Sequence, residues 1–250
     1  MIGWEKMKIA DGIEMLEVEI TMMGNKRIQN HALLYDDQHV VLVDVGMPGQ
    51  LEPLKAAVEK AGFAFSDIDT VIFTHQDIDH IGCIQDVLQA VGKPVAVCAH
   101  AEERPYIEGE KEPIKMTRER VNKMLDSVPA EMRKEVEAIY LSRPSAKITN
   151  TVADREVLPI AGGIHVIHTP GHTPGHICLY HEPSKTLVTG DATVSEDGKL
   201  LGPNPAFTPD LALARASLKK LTAFDIANAI CCHGGLCSDQ VNEQIRGLTI

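Results

Sequence analysis

Six residues set the tightest limit on this chain: His75-Gln76-Asp77-Ile78-Asp79-His80, which close the apolar run DTVIFTH at residues 69–75. Four side chains able to ligate a metal therefore stand where a buried strand spills into a loop. Clustered carboxylates repel one another, and a cation shared between them and neighbouring imidazoles relieves that repulsion. Read alone, the hexapeptide has a second, less favoured reading as a polar loop whose aspartates cap a helix.

Three distant positions bear on the choice. His172 lies in TPGHTPGH directly after a strand-like run, Asp191 ends KTLVTGD, and His233 ends AICCHGG. Side chains that each follow a β run can reach one edge of a sheet, where loops of α/β folds carry function. Imidazole with carboxylate suits zinc, iron or manganese. Upstream, VVLVDVG places Asp44 at another strand end, where a carboxylate can accept the second N–H of a ligating histidine.

The remaining pattern supplies the frame. Period-two runs at 13–20 and 31–35 and the solid run at 40–46 predict strands. Leu51, Leu54, Val58 and Ala61 then fall at helical spacing and stop at Gly62, and Ile84, Val87, Leu88 and Val91 repeat this up to Gly92. PVAVC, GIHVIHTP, HICLYHE, KTLVTGD and DIANAICCH read as further strands. Thr208, Pro209 and Asp210 are expected as N-cap, N1 and N2 of a helix through Leu221, with a last helix from Ser238. Residues 101–146, rich in Glu, Lys, Arg and Met and broken by four prolines, predict two helices in an inserted lid. Strands followed by helices in both halves predict a single α/β domain over 1–250, two sheets inside and helices outside.

Composition narrows the function. Lys plus Arg number 24 against 35 Asp plus Glu, a formal charge of -11 that repels nucleic acid and anionic membranes. No run approaches the roughly 18 apolar residues that span a bilayer. A cytoplasmic protein acting on a small molecule is expected, with a homo-oligomer possible. The six cysteines lie in or beside apolar runs and form no CxxC pair; buried reduced thiols are expected, core packing being favoured over a thiolate ligand at Cys231 and Cys232.

Taken in order, Asp44, His75 to His80, His172, Asp191 and His233 resemble the five motifs of the metallo-β-lactamase superfamily. The resemblance implies a four-layer αβ/βα sandwich with a helical insertion near 101–146. It also implies two divalent ions, zinc foremost, at one edge of the sheets. His75 and His172 would hold the first ion, Asp79, His80 and His233 the second, with Asp191 bridging. Asp77 departs from the usual HxHxDH, making HxDxDH, and would give the first ion a carboxylate in place of an imidazole. Two divalent ions, Asp79, Asp191 and a bridging hydroxide leave a centre one unit positive, and an ionised Asp77 makes it neutral, which favours iron or manganese there.

The implied chemistry is attack of a metal-bound hydroxide on the carbonyl of a small ester, lactone or thioester, with Asp79 passing on a proton. Lactonases similar in HTPGHTPGH usually carry a tyrosine three residues after the bridging aspartate, where this chain has Val194. A flavodiiron-like redox protein, which resembles this pattern with a carboxylate at position 77, and a metal-depleted non-catalytic member are the alternatives. His31, His100, His165, His168 and His176 are expected to make structural hydrogen bonds rather than ligate. Met22, Met23 and Phe207, with Met47, are candidates for an apolar substrate pocket, and Tyr106 for a contact from the insertion.

Overall fold

The computed structural model describes residues 8–22, 25–141 and 143–249. The first sheet contains β1 (Lys8–Ala10), β2 (Ile13–Met22), β3 (Asn25–Tyr35), β4 (Val40–Val43), β5 (Thr70–Ile72), β6 (Ala96–His100) and β7 (Asn150–Val152), in that spatial order. The second holds β8 (Val157–Leu158), β9 (Ile164–His168), β10 (Ile177–His181), β11 (Thr186–Val188), β14 (Asn228–Cys231) and β15 (Gly235–Cys237), ordered 15-14-11-10-9-8. A small ribbon pairs β12 (Val194–Glu196) with β13 (Lys199–Leu201).

The helices are α1 (Leu51–Ala61), α2 (Ile78–Ile81), α3 (Ile84–Val91), α4 (Arg104–Ile107), α5 (Arg118–Ser127), α6 (Arg133–Leu141), α7 (Leu211–Ser217) and α8 (Val241–Leu248).

The solid apolar run of β4 follows from its position. Val40 and Leu42 pack outward with Leu54 and Val58 of α1 and with Ile84 and Val87 of α3. Val41 and Val43 pack inward with Ile164, Val166, Ile177 and Leu179 of the second sheet. A strand covered on both faces has no position for a polar side chain. Leu187, Ala229 and Cys231 of the second sheet meet Leu218, Leu221, Val241 and Ile245 on its outer side. The architecture is the expected αβ/βα sandwich. Gly62 and Gly92 stop α1 and α3 in the left-handed region, at φ +98 and +70.

Several boundaries differ from the sequence reading. The N-cap of α7 is Asp210, whose carboxylate accepts from Leu213 N at 2.9 Å, not Thr208. The Thr208 hydroxyl is already committed, donating to Asn204 O at 2.7 Å. The helix ends at Ser217, and a 3-10 turn carries the chain to Ala223. The insertion contains three helices, the first a single turn after β6. The last helix starts at Val241 rather than Ser238. All six cysteines are unpaired and buried.

Candidate metal centre

The site lies where β4, β5, β9, β11 and β14 end, so the strand-end residues converge as their positions predicted. His75 Nε2 and His172 Nε2 lie 3.2 and 3.1 Å from Asp77 Oδ2. Asp191 Oδ2 faces the same group, 3.1 Å from His172 Nε2 and 4.0 Å from His75 Nε2. Its other oxygen faces a second group, 3.4 Å from His80 Nε2 and 3.5 Å from His233 Nε2. Asp79 Oδ2 stands 3.3 Å from His233 Nε2 and 3.8 Å from His80 Nε2. One carboxylate thus looks into two donor sets at once.

The partners behind these rings fix which nitrogens face inward. Asp44, in the left-handed region at φ +59, accepts from Thr74 N, Thr74 Oγ1 and His80 Nδ1, each at 2.8 Å. With its proton given to Asp44, Thr74 Oγ1 accepts from His75 Nδ1 at 3.0 Å. Both imidazoles are therefore held at Nδ1 from behind and turn Nε2 into the site, the nitrogen left to ligate. His75 Nε2, His80 Nε2 and Asp191 Oδ1 are buried and have no hydrogen-bond partner among the described residues. Such orphaned acceptors are costly in a protein interior unless an electropositive group sits among them. The donor sets fit divalent cations on that ground.

Electrostatics agree. Burial alone would raise the carboxyls of Asp77 and Asp191, yet both are held well below the usual carboxylate range. His75 and Lys115 do this for Asp77, and His80 and His172 for Asp191. Burial, with the neighbouring His80, brings His75 down to about 4. Burial would lower His80, His172 and His233 as well, yet the acidic groups around them hold each above its ordinary value, so an ion entering these sets takes the place of protons that the metal-free cluster retains.

Of the discounted histidines, His176 accepts from Asp191 N at 3.0 Å and holds Thr169 Oγ1 at 2.8 Å, a positioning role. A Cβ on Gly190 would come within 2.7 Å of its ring, so glycine is required there. His165 pairs with Glu182 and His168 with Pro174 O. His100 stacks on His168 with centroids 4.1 Å apart, and with Glu102 their donor atoms cluster. Near-parallel rings cannot aim their lone pairs at one ion. His31 has no partner for either ring nitrogen among the described residues.

Five further residues stand near the donors, among them Cys232, which the sequence reading assigned to core packing. Cys232 joins His80, Asp191 and His233 within ligating reach, while Cys231 faces the core, as strand alternation requires of neighbours. Burial pushes the Cys232 thiol up to about 12. Gln29 Nε2, on β3, donates to Asp79 Oδ2 at 3.2 Å. Glu103 accepts from Gln76 N, Gln76 Nε2 and Gly175 N at 2.8, 3.0 and 2.7 Å, tying the two motif loops together. Gln76 in turn accepts from Ile114 N. Lys115 reaches in from the insertion and contacts Asp77 and His172. Two of these had a sequence signal, Cys232 from its place beside His233 and Gln76 from its place within the hexapeptide.

Above the donors opens a cavity of about 810 Å³. Phe207, Met47 and Tyr106 line it as anticipated, and Val194 does too. The Met22 side chain and all of Met23 lie outside the described residues.

A family model described as the metallo-beta-lactamase superfamily matches residues 24–233. The chain belongs to that superfamily. Among curated proteins it is 30% identical to the probable metallo-hydrolase YflN of Bacillus subtilis, over 78% of this chain and 75% of the relative. It is 25% identical to the hydroxyacylglutathione hydrolase GloC of Haemophilus influenzae, over 65% of this chain and 66% of the relative. A metallo-beta-lactamase family protein from Thermus thermophilus superposes with a TM-score of 0.72 at 25% identity, covering 97% of this chain and 79% of that one.

Proposed function

We propose that this chain is a metal-dependent hydrolase of a small ester, lactone or thioester. The observation that carries the reading is Asp191, whose two oxygens face two histidine-containing donor sets at the floor of a substrate-sized cavity. His75, Asp77 and His172 would hold one ion, and His80, Asp79 and His233 the other, with Asp191 shared. An ion held there supplies a Lewis acid and a water acidified from about 15.7 toward about 7.

The chain's own groups do the rest. Asp44 and Thr74 keep the ligating tautomers of His80 and His75. Asp79, oriented by Gln29, is placed to carry a proton from the attacking water to the leaving group. A substrate seated against Met47 and Phe207 would displace water from the floor and strengthen the charge interactions there. The hydrolase names of YflN and GloC support this class of reaction.

A panel of p-nitrophenyl esters, simple lactones and acyl thioesters, run on protein of measured metal content, tests the reading. Cleavage of one class that disappears on chelation and returns with metal is expected. No cleavage by metal-loaded protein would overturn it.

A further inference from the structure

The charge around the cavity runs against the charge of the chain. Acidic residues outnumber basic ones 35 to 24 overall. Yet the cavity is lined by Arg27, Lys111, Lys115, Arg120 and Arg143, and among the described residues its only carboxylates are Asp77, Asp79 and Asp191 at the metal centre. Those three are committed to histidines and to Lys115 at the floor.

The cations come from two separate parts of the chain, Arg27 from β3 and the other four from the insertion. Lys115 is spent on Asp77, and Arg143 is paired with Glu112. Arg120 donates to the Lys115 carbonyl at 3.2 Å, and Lys111 lies 5.4 Å over the Tyr106 ring. Among the described residues, Arg27, Lys111 and Arg120 form no ion pair, so their charge is available to a ligand.

Apolar surface lies beside them. Ile28 and Phe207 are 54% and 61% exposed, unusual for large hydrophobic side chains, and both line this cavity. At about 810 Å³ the space far exceeds what a scissile carbonyl needs, so most of it must take a part of the substrate that does not react.

We propose that this cavity selects substrates whose end remote from the cleaved bond carries an anionic group, a carboxylate or a phosphate, next to an apolar segment. The proposal rests on the hydrolase reading and names its substrate class. Arg27, Lys111 and Arg120 hold the anion, guanidinium being the group that meets carboxylate and phosphate with paired hydrogen bonds. Ile28 and Phe207 cover the apolar segment. The anion lies outward of the metal donors, and Lys115, once an ion displaces it from Asp77, adds its charge to the same cavity.

Three uncleavable thioethers test it on the metal-loaded protein by titration calorimetry: S-hexyl-coenzyme A with phosphates, S-hexylglutathione with carboxylates, and neutral S-hexyl-N-acetylcysteamine. At low salt at least one anionic carrier is expected to bind at least about tenfold more tightly than the neutral one, and the advantage to shrink as salt screens it. Which carrier wins separates phosphate from carboxylate. Arg27 and Arg120 are both exposed, so the double variant Arg27→Gln/Arg120→Gln keeps the fold; there the advantage is expected to fall at least about fivefold.

Equal binding of all three ligands would overturn the proposal. So would an advantage that survives undiminished when Lys111→Gln is added to the double variant, which would assign the anion to the metal. Because nothing here needs turnover, anion-selective binding without cleavage in the ester panel would sink the hydrolase reading and leave this subsite standing.

Discussion

The Lys115 ammonium lies against the Asp77 carboxylate, and together they fill the space between His75 and His172. Asp77 is thus paired with a cation from the insertion. Lys115 is braced there, since Ile114 N donates to Gln76 and Arg120 donates to the Lys115 carbonyl.

An ammonium and a divalent ion cannot share that position, so an ion entering the first donor set displaces Lys115. Lys115→Met keeps the length of the side chain and removes the charge. We expect the weaker of two metal-binding steps to tighten at least about tenfold in this variant, each tenfold being about 1.4 kcal/mol. Titration of the chelator-treated protein with zinc, followed by calorimetry, measures it. Unchanged affinity would show that Lys115 does not oppose the first ion.

Asp44 supports the second set from behind. Asp44→Asn preserves the left-handed backbone that Asp and Asn both tolerate, yet removes the charge that orients His80. A loss of about 10- to 100-fold in metal affinity is expected, the usual cost of losing such a partner. Metal titration against a calibrated chelator reads it, and an unaltered affinity would refute the support role.

Glu103 is fully buried and accepts from three N–H groups on the two motif loops. Glu103→Ala strands all three donors. Unfolding in urea should show a loss of about 3 kcal/mol or more. A change within about 0.5 kcal/mol would mean that the loops hold each other without it.

His31 gives a pH signature. Burial lowers it to about 4, so the folded chain resists a proton that the unfolded chain accepts near its ordinary value of 6.5. Its contribution is therefore complete above pH 6.5 and is lost as pH falls toward 4, a loss of about 3 kcal/mol. In metal-free protein, His31→Leu should unfold at a temperature that varies less between pH 7 and 5 than the parent's. Parallel curves would contradict this.

The strand ends carried most of the site into view. Each motif residue follows an apolar run, and a strand buried on both faces can place a ligand only where it stops, so Asp44, His75, His172, Asp191 and His233 were legible in one dimension. The residues that brace them were not. Gln29 reaches Asp79 because the two sheets meet at Asn30 and Cys232, a pairing across about two hundred residues that no local period encodes. Glu103 and Lys115 read as solvated charges in a charged segment, and only the path of the insertion over the sheet ends buries one and aims the other inward. Thr208 failed as a helix cap for a similar reason: tertiary contacts had already engaged its hydroxyl. Net charge, too, described the surface and missed the cavity, whose local sign is opposite.

The central claim is that these donors hold a metal through the shared Asp191, and elemental analysis tests it most directly. Zinc, iron and manganese are measured per chain in parent, Asp191→Ala and His172→Ala proteins, each equilibrated with metal and then desalted. The account predicts at least one ion per chain in the parent, with retention and ester cleavage both lost in each variant. A parent that holds no metal, or an Asp191→Ala protein that keeps its full complement and activity, would contradict it.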